Sequence, residues 1–379
     1  MWIVAVALGA LSLATRLLSP ADAWAVTRQV GPVLVFLVGI TVVAELADKA
    51  HVFDVAAVKA ARTASGHGWR LYALVVVLGT ATTVVLSLDT TAVLLTPVLI
   101  ALAQRCHLRP LPLAMTAVWL ANIASLLLPV SNLTNLIALH ALGLHPLRFA
   151  SHMWAPQLAA LTVGVGILAL RYRRDLGSRY DVPERTVPED KLLFRVSAAV
   201  CVVMAPLFAA GLPVAAVATV AAIVLLGFFI VRRRDVLSFS LVPWRLVLLV
   251  EGLFLVVTAL GNHGLDRLLG NLAGNGHGYL GVLRTAGVGA AGSNLVNNLP
   301  AYLALDRVTA GDVPRTLAAL VGTNVGPLIT VWASLATLLW RERCKARGVE
   351  IRTREFETLG VIGVPLMLVA ATAALYATS

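Results

Sequence analysis

Long apolar runs separated by short polar gaps recur along the whole chain. A transmembrane helix needs about 20 predominantly apolar residues to cross the hydrocarbon core of a bilayer. Seven apolar runs approach this length: residues 1–18, 30–47, 149–172, 193–210, 214–231, 246–261 and 359–377. The pattern predicts an all-α polytopic membrane protein, with the lipid bilayer as its surroundings.

Composition supports the membrane class. Of the 379 residues, 59% are hydrophobic and 13% are charged, and the mean hydropathy is +0.87, values outside the usual range of soluble domains. The first run has no charged segment before it, so we expect a retained helix rather than a cleaved signal peptide. Three dispersed cysteines, without a CxxC or Cys/His pair, predict neither disulfides nor a bound metal.

The basic residues concentrate in alternate gaps. With the N-terminus in the cytoplasm, five gaps on that side hold 23 of the 30 Lys and Arg residues: 48–70, 105–109, 171–195, 232–245 and 341–354. This asymmetry follows the positive-inside rule. It predicts an inner (plasma) membrane protein with a cytoplasmic N-terminus and an outer C-terminus. No basic stripe interleaved with aromatics accompanies the net charge of +11, so we expect no nucleic-acid partner.

A polar, Pro-containing stretch divides the chain. We predict an N-terminal membrane repeat over 1–172, a cytoplasmic linker over 173–192 and a C-terminal membrane repeat over 193–379. Similar landmarks recur in order, such as HVFD at 51–54 and HGLD at 263–266. On the orientation above the two copies run in opposite directions, which predicts inverted repeats. Such repeats are common in secondary transporters.

Two long apolar segments are interrupted at their centres. The first, 71–105, contains SLDTT at 87–91, and the second, 281–307, contains SNLVNNLP at 293–300. Each predicts a re-entrant hairpin, one from each side of the membrane. Irregular backbone at membrane depth persists only where protein or a water-filled cavity satisfies it.

Two further segments read as spanning helices with a break. Residues 111–142 are interrupted by PVSNLTN at 129–135, and residues 317–340 by GTNVGP at 322–327. Asn132 falls opposite Asn324 when the halves are compared. The full prediction is about nine spans plus two hairpins, with one hairpin and one broken helix in each repeat.

The polar residues of these breaks are candidates for a substrate site, because unwound backbone and amide or hydroxyl side chains offer both donors and acceptors. Asp89 is the only acid within the four breaks, and an aspartate at the bilayer centre costs about 2.5 to 3.5 kcal/mol. We predict that it couples transport to protons; it could also cap the second hairpin arm. The predicted substrate-binding residues are Thr90, Thr91, Ser131, Asn132, Asn135, Asn294, Asn297, Asn298, Thr323 and Asn324.

These polar residues also allow a purely structural interpretation, in which they cap broken helices or hold helices together. Glu45 and Glu251 are weaker candidates because they lie closer to helix ends. The eight histidines show no catalytic or metal-binding spacing.

The break motifs, taken together, resemble the arsenite/antimonite efflux permease family. That family, the membrane subunit of bacterial arsenical pumps, belongs to the ion transporter superfamily with the sodium/dicarboxylate symporters. The motifs are SLDTTAVLLTP at 87–97, ASLLLPVSNLTN at 124–135, VNNLPA at 296–301 and ASLATLLW at 333–340. The resemblance implies proton-coupled efflux of trivalent arsenic or antimony, an elevator-like movement, a homodimer and, optionally, a separate ATPase subunit.

By position, Asp89 matches the acid of the family's hairpin tip. The chain departs from the family at three points: Leu88 replaces the usual Asn, Asn324 stands where some arsenite permeases carry an acid, and the N-terminus is about one helix short. Substrate and coupling ion, H+ or Na+, therefore stay open.

Arsenous acid is neutral at physiological pH, so a ring of hydrogen-bonding groups suits it, and we expect no cofactor beyond the proton motive force. Alternatives within transporters are another small anion or Na+/H+ exchange. Alternatives in other classes are an intramembrane enzyme or a non-transporting receptor. An enzyme would need a second acid, base or nucleophile near Asp89, and none is evident, so we predict a protein that is not an enzyme.

Overall fold

The computed structural model describes residues 2–378, and the described chain is helical apart from its connections. Seventeen helices carry the labels used below, and a single helical turn, Arg173–Leu176, lies in the linker. In chain order they are α1 (Trp2–Ala14), α2 (Pro20–Lys49), α3 (Val52–Thr63), α4 (Gly68–Val85), α5 (Leu88–Arg105), α6 (Pro110–Ile123), α7 (Leu133–Leu142), α8 (Pro146–Arg171), α9 (Lys191–Ala209), α10 (Val214–Arg232), α11 (Trp244–Leu260), α12 (Asp266–Ala273), α13 (Tyr279–Val296), α14 (Asn298–Thr309), α15 (Val313–Val325), α16 (Leu335–Ala346) and α17 (Thr353–Thr378).

Within residues 2–378, eight helical segments are long and apolar enough to cross a membrane. Six of them correspond to predicted spans and two, α4 and α5, are the arms of the first hairpin. The apolar run at residues 1–18 gives only the 13-residue helix α1. At 1.5 Å per residue α1 covers about 20 Å, less than the hydrocarbon thickness of about 30 Å. It packs lengthwise against α11.

Both predicted hairpins are present. In the first, α4 and α5 are joined at Ser87, and the Thr83 and Thr91 hydroxyls share a 2.8 Å hydrogen bond near the tip. In the second, α13 and α14 pack together and are joined at Asn297. Ser87 has φ 137° and Asn297 has φ 112°. Positive φ is uncommon for residues other than Gly, so the two tips turn in the same unusual way.

Both predicted helix breaks exist, but their exact positions differ from the prediction. The first break covers 124–132, so Asn135 lies inside α7 rather than in the break. The second covers 326–334, because α15 continues through Gly322, Thr323 and Asn324. Gly322 does not break the helix; it permits close packing, since an added Cβ would overlap the Ala286 carbonyl on α13.

The five basic gaps meet at one end of the molecule, called here the basic end. Hydrogen bonds and ion pairs join them: the Tyr180 hydroxyl donates to the Ala61 carbonyl, Arg109 pairs with Asp175, Arg171 with Glu355, and Arg233 with Glu189. The loop before α4 also forms a short antiparallel bridge, between His67 and Arg179. The basic loops therefore lie together at one end of the molecule, as the charge pattern predicts.

The loops between these gaps meet at the opposite end. His277 and Asp312 approach to 3.2 Å, and Gly211 packs directly against the His145 ring. The first hairpin starts and ends at the basic end, whereas the second starts and ends at the opposite end. Their tips line one cavity, described below, so the two hairpins enter from opposite sides and meet inside the molecule.

Candidate transport site

A cavity of about 330 Å³ lies where the two hairpin tips meet the second halves of the two broken helices. We call it the central cavity. Its polar lining residues are Asp89, Asn132, Asn297, Asn298 and Ser334. Four of these belong to the set predicted from the sequence. Residues more than 200 positions apart are thus brought to one place.

The remaining wall of the central cavity is apolar. It includes Val4, Ala5 and Leu8 of α1 and one face of α11, with Leu246, Leu249, Leu253 and Val256. Among the described lining residues there is no Lys, Arg or His. A ligand here meets one carboxylate, several neutral polar groups and hydrocarbon.

Four helices begin at the central cavity. The first residues of α5, α7, α14 and α16 all line it: Leu88, Leu133, Asn298 and Leu335. A helix N-terminus carries unpaired backbone N–H groups and roughly half a positive elementary charge. Four such ends favour the oxygen atoms of a solute and compensate a negative charge.

Asp89 lies in the first turn of α5 and is half-buried. Within residues 2–378, no side chain or backbone group donates a hydrogen bond to its carboxylate, and no cation pairs with it. Ser87, not Asp89, caps the helix, because the Ser87 hydroxyl accepts from the Thr90 N–H at 3.3 Å. Ser87 therefore takes the capping role considered for Asp89, and the Asp89 carboxylate remains available to a ligand.

The second hairpin tip is fixed by its backbone and keeps amide groups free. The Asn298 N–H donates to the Ala333 carbonyl at 2.8 Å, and Asn297 Nδ2 donates to the Trp332 carbonyl at 3.1 Å. Among the described residues, the Asn298 side-chain amide and Asn297 Oδ1 have no protein partner. Both residues line the central cavity, where a solute can use these groups.

Asn324 fastens the first break to the second broken helix. Its Oδ1 accepts from Asn132 Nδ2 and from the Thr134 hydroxyl, each at 3.0 Å, and its Nδ2 donates to Asn135 Oδ1 at 2.9 Å. All four residues are buried. Asn132 also caps α7 through the Thr134 N–H. Asn324 and Asn135 do not line the central cavity; they hold the start of α7 in place beside it.

The other predicted site residues also lie outside the cavity lining. Thr90 and Thr91 bond within the first hairpin, Ser131 donates to the Val84 carbonyl, and Thr323 bonds to its own helix. Asn294 joins the second hairpin to the second break by bonding to the Gly326 carbonyl and to Thr330. For these residues the structural interpretation fits the contacts.

Ser334 was missed as a site residue. It precedes α16 with φ −140° and ψ 141°, nearly the backbone of Asn132 before α7 (φ −150°, ψ 143°). Its hydroxyl is buried and without a partner among the described residues. The available signal was a serine immediately before the apolar run at 335–340, an N-cap pattern.

Comparison with known proteins agrees with this architecture. The citrate transporter family (CitMHS) matches residues 1–340. The arsenical pump membrane protein of Escherichia coli (strain K12) is 30% identical, covering 93% of this chain and 87% of the relative. That of Yersinia enterocolitica is also 30% identical, covering 93% and 88%.

In fold, the chain is similar to the crystal structure of the Alcanivorax borkumensis YdaH transporter. The TM-score is 0.57 and the identity 16%, covering 95% of this chain and 89% of that one. The resemblance noted at the break motifs is confirmed over nearly the whole chain. This chain is a membrane transporter and belongs to the family of citrate-transporter and arsenical-pump membrane proteins.

Proposed function

We propose that this protein exports trivalent arsenite or antimonite in exchange for protons, with the central cavity as its substrate site. The observation that carries the proposal is Asp89, the single free carboxylate among the described residues that line the cavity, together with four helix N-termini and neutral amides. Arsenous acid has three hydroxyl groups, and each can donate and accept a hydrogen bond. The helix N–H groups and Asn298 donate to its oxygens, and the Asp89 carboxylate accepts from a hydroxyl.

Competition at Asp89 gives a coupling mechanism. The ionised carboxylate accepts a hydrogen bond from the solute; a protonated carboxyl has lost much of that capacity and favours release. One proton entering for each neutral solute leaving moves one charge, worth about 2.3 kcal/mol per 100 mV. At about 1.36 kcal/mol per tenfold ratio, this drives a gradient of roughly fiftyfold per 100 mV.

The test uses purified protein in liposomes with a pH-sensitive dye inside. We expect arsenite to cause proton movement in the wild type. Asp89→Asn should abolish it, because the amide keeps the shape of the side chain but cannot exchange a proton. Unchanged coupling in Asp89→Asn would remove the role assigned to Asp89.

Asp22→Asn is the matched control. Asp22 is an exposed carboxylate in the first turn of α2 and does not line the central cavity. We expect its proton movement to equal that of the wild type. Replacing Na+ by choline on both sides separates proton from sodium coupling, since only a sodium-coupled carrier stops.

A second candidate is transport of another small anion. Four helix N-termini favour anions, and the matching family takes its name from citrate transport. Against a tricarboxylate stands the absence of Lys, Arg and His from the described cavity lining. Anion flux without any response to arsenite would favour this second candidate.

We also propose that the two halves are inverted repeats and that the protein works by an elevator-like movement. Matching element order and hairpins from opposite ends support two inverted repeats, and the position of the cavity between the hairpin tips and helices α1 and α11 supports an elevator-like movement. We further propose that the protein forms a homodimer and associates with a separate ATPase subunit. We place it in the inner membrane with its basic end in the cytoplasm.

A further inference from the structure

The two broken helices contact each other at two junctions. At the first junction the end of α15 bonds to the start of α7, and at the second α6 packs against α16. The second contact includes a 2.8 Å hydrogen bond from Trp340 Nε1, in the middle of α16, to the Ala114 carbonyl, in the first half of α6. Each junction therefore joins one half of the chain to the other.

The same positions are polar at both junctions. Asn324 is the penultimate residue of α15, and Asn122 is the penultimate residue of α6. Asn132 and Ser334 immediately precede α7 and α16, with nearly the same φ and ψ. Position three of α7 is Asn135, and that of α16 is Thr337. Asn122 thus corresponds to Asn324, and Ser334 and Thr337 correspond to Asn132 and Asn135, which Asn324 ties together at the first junction.

The hydrogen bonding of the two junctions differs sharply. Asn324 satisfies its partners directly, whereas Asn122 Oδ1, Ser334 Oγ and Thr337 Oγ1 are all buried and have no protein partner among the described residues. Asn122 Nδ2 donates to the Val118 carbonyl of its own helix. The three residues are at most 1% exposed. A buried polar group without a partner is destabilising, so three at corresponding positions of the second junction call for a shared ligand.

Side-chain size explains why direct bonds are missing at the second junction. From the first junction to the second, Asn132 is replaced by Ser334, Thr134 by Ala336 and Asn135 by Thr337. Each replacement is shorter or smaller. These side chains do not make with Asn122 the direct hydrogen bonds that Asn132, Thr134 and Asn135 make with Asn324.

We infer that Asn122, Ser334 and Thr337 form a buried binding site for one water molecule, directly behind the central cavity. Buried waters typically make about three hydrogen bonds to groups that otherwise lack partners. Here the water donates to Asn122 Oδ1 and exchanges hydrogen bonds with the two hydroxyls. A cation is disfavoured because the set has no carboxylate and the positive N-terminus of α16 lies beside it.

This water connects to the substrate site through Ser334, which lines the central cavity. The first junction is closed by amide contacts, and the second is bridged by an exchangeable ligand. Ser334 is then a positioning residue whose hydroxyl is oriented by the water. The inference does not depend on which solute is transported.

The test combines a double-mutant cycle with a structure. Ser334→Ala and Thr337→Val each remove one hydroxyl, and we expect each to lower the unfolding temperature of the purified protein in detergent. If both hydroxyls hold one water, either substitution releases it. The unfolding temperature of the double variant is then no lower than that of the less stable single variant. Thr372→Val is the matched control, because the buried Thr372 hydroxyl bonds only to carbonyls of its own helix. Its effect on the unfolding temperature should add to that of Ser334→Ala or Thr337→Val.

A high-resolution map of the wild type gives the second, independent readout. We expect density within about 2.7–3.2 Å of all three oxygens, absent in Thr337→Val. Strict additivity of Ser334→Ala and Thr337→Val, or a map in which the hydroxyls bond directly to Asn122, overturns the inference. A saturable rise of the unfolding temperature with Na+ against choline, lost in Thr337→Val, also overturns it, because the ligand is then a cation.

Discussion

Asn324 concentrates three side-chain hydrogen bonds at a single buried residue. Asn324→Ala leaves Asn132, Thr134 and Asn135 each short of a partner. Unpartnered buried groups cost about 1 to 3 kcal/mol in proteins generally, while cycles in membrane proteins average about 0.6 kcal/mol per bond. We expect a loss of about 1 to 3 kcal/mol of stability, measured as reduced unfolding temperature in detergent.

Thr323→Val provides the comparison for that change. Thr323 is the preceding residue of α15, equally buried, and its hydroxyl bonds only to carbonyls of its own helix. It should lose clearly less stability than Asn324→Ala. Equal losses would mean that the amide contacts across the junction contribute little.

Single residues also show what could be read from the sequence. Asp89 was identifiable because an acid in an apolar segment is costly wherever its side chain points. The roles of Asn294 and Thr323 were not identifiable, because a polar residue in a break can face a solute or a carbonyl with the same local sequence. Only the packing of α13 against α15 decides between these outcomes.

At the scale of elements, the sequence predicts the breaks better than their boundaries. Pro327 correctly marks the second break, since proline lacks the N–H that a helix needs. Gly322 misleads, because glycine also serves close helix packing, here against Ala286 of α13. The first break is satisfied partly from a distant helix: the Leu127 N–H donates to Gln157 Oε1 at 2.8 Å. Such contacts are invisible in a local pattern.

The start of α9 gives a pH-dependent prediction. Asp190 caps this helix by accepting from the Leu192 and Leu193 N–H groups, and it pairs with Arg232. The Arg232 hydrogen bond, with these backbone bonds, holds the pKa of Asp190 below its usual 3.8. Its stabilising effect is therefore present above about pH 4 and is lost as the pH falls through the lowered pKa.

Asp190→Asn should lower the unfolding temperature at pH 7, and its difference from the wild type should shrink below pH 3.8. Scans of unfolding temperature from pH 7 to pH 3 measure this. Glu184→Gln is the control, an exposed linker carboxylate without a hydrogen bond among the described residues; it should change little at any pH. A difference that stays constant with pH would assign the effect to the cap geometry alone.

At the scale of the whole molecule, the two hairpins differ in how they are bonded to the neighbouring helices. Arg307, in the last turn of α14, donates to Asp266 at 2.9 Å and to Asn262 at 3.0 Å. Arg105, in the last turn of α5, makes no ion pair within residues 2–378, and Asp54 is bonded to His51 instead. Asp54 and Asp266 are the corresponding acids of the HVFD and HGLD motifs. The second hairpin is thus fastened at its end of the molecule while the first is not.

If the hairpins move relative to the neighbouring helices during transport, this asymmetry should reverse. We call the state whose central cavity opens to the other side of the membrane the opposite-facing state. In that state we expect Arg105 to pair with Asp54 and the pair between Arg307 and Asp266 to open. Partly exposed ion pairs contribute about 0.2 to 1 kcal/mol. Arg307→Ala should therefore shift the balance of states by up to about fivefold toward the opposite-facing state, and Arg105→Ala should shift it the other way.

The shift can be followed by the reaction of a membrane-impermeant thiol reagent, added from one side, with Val296→Cys in a cysteine-free background. Val296 lines the central cavity and is 62% exposed, and the three native cysteines are buried. Opposite changes in labelling rate for Arg307→Ala and Arg105→Ala are expected because each arginine stabilises a different state. Changes of the same sign would indicate that both substitutions merely loosen the fold, and the alternating ion pairs would have to be abandoned.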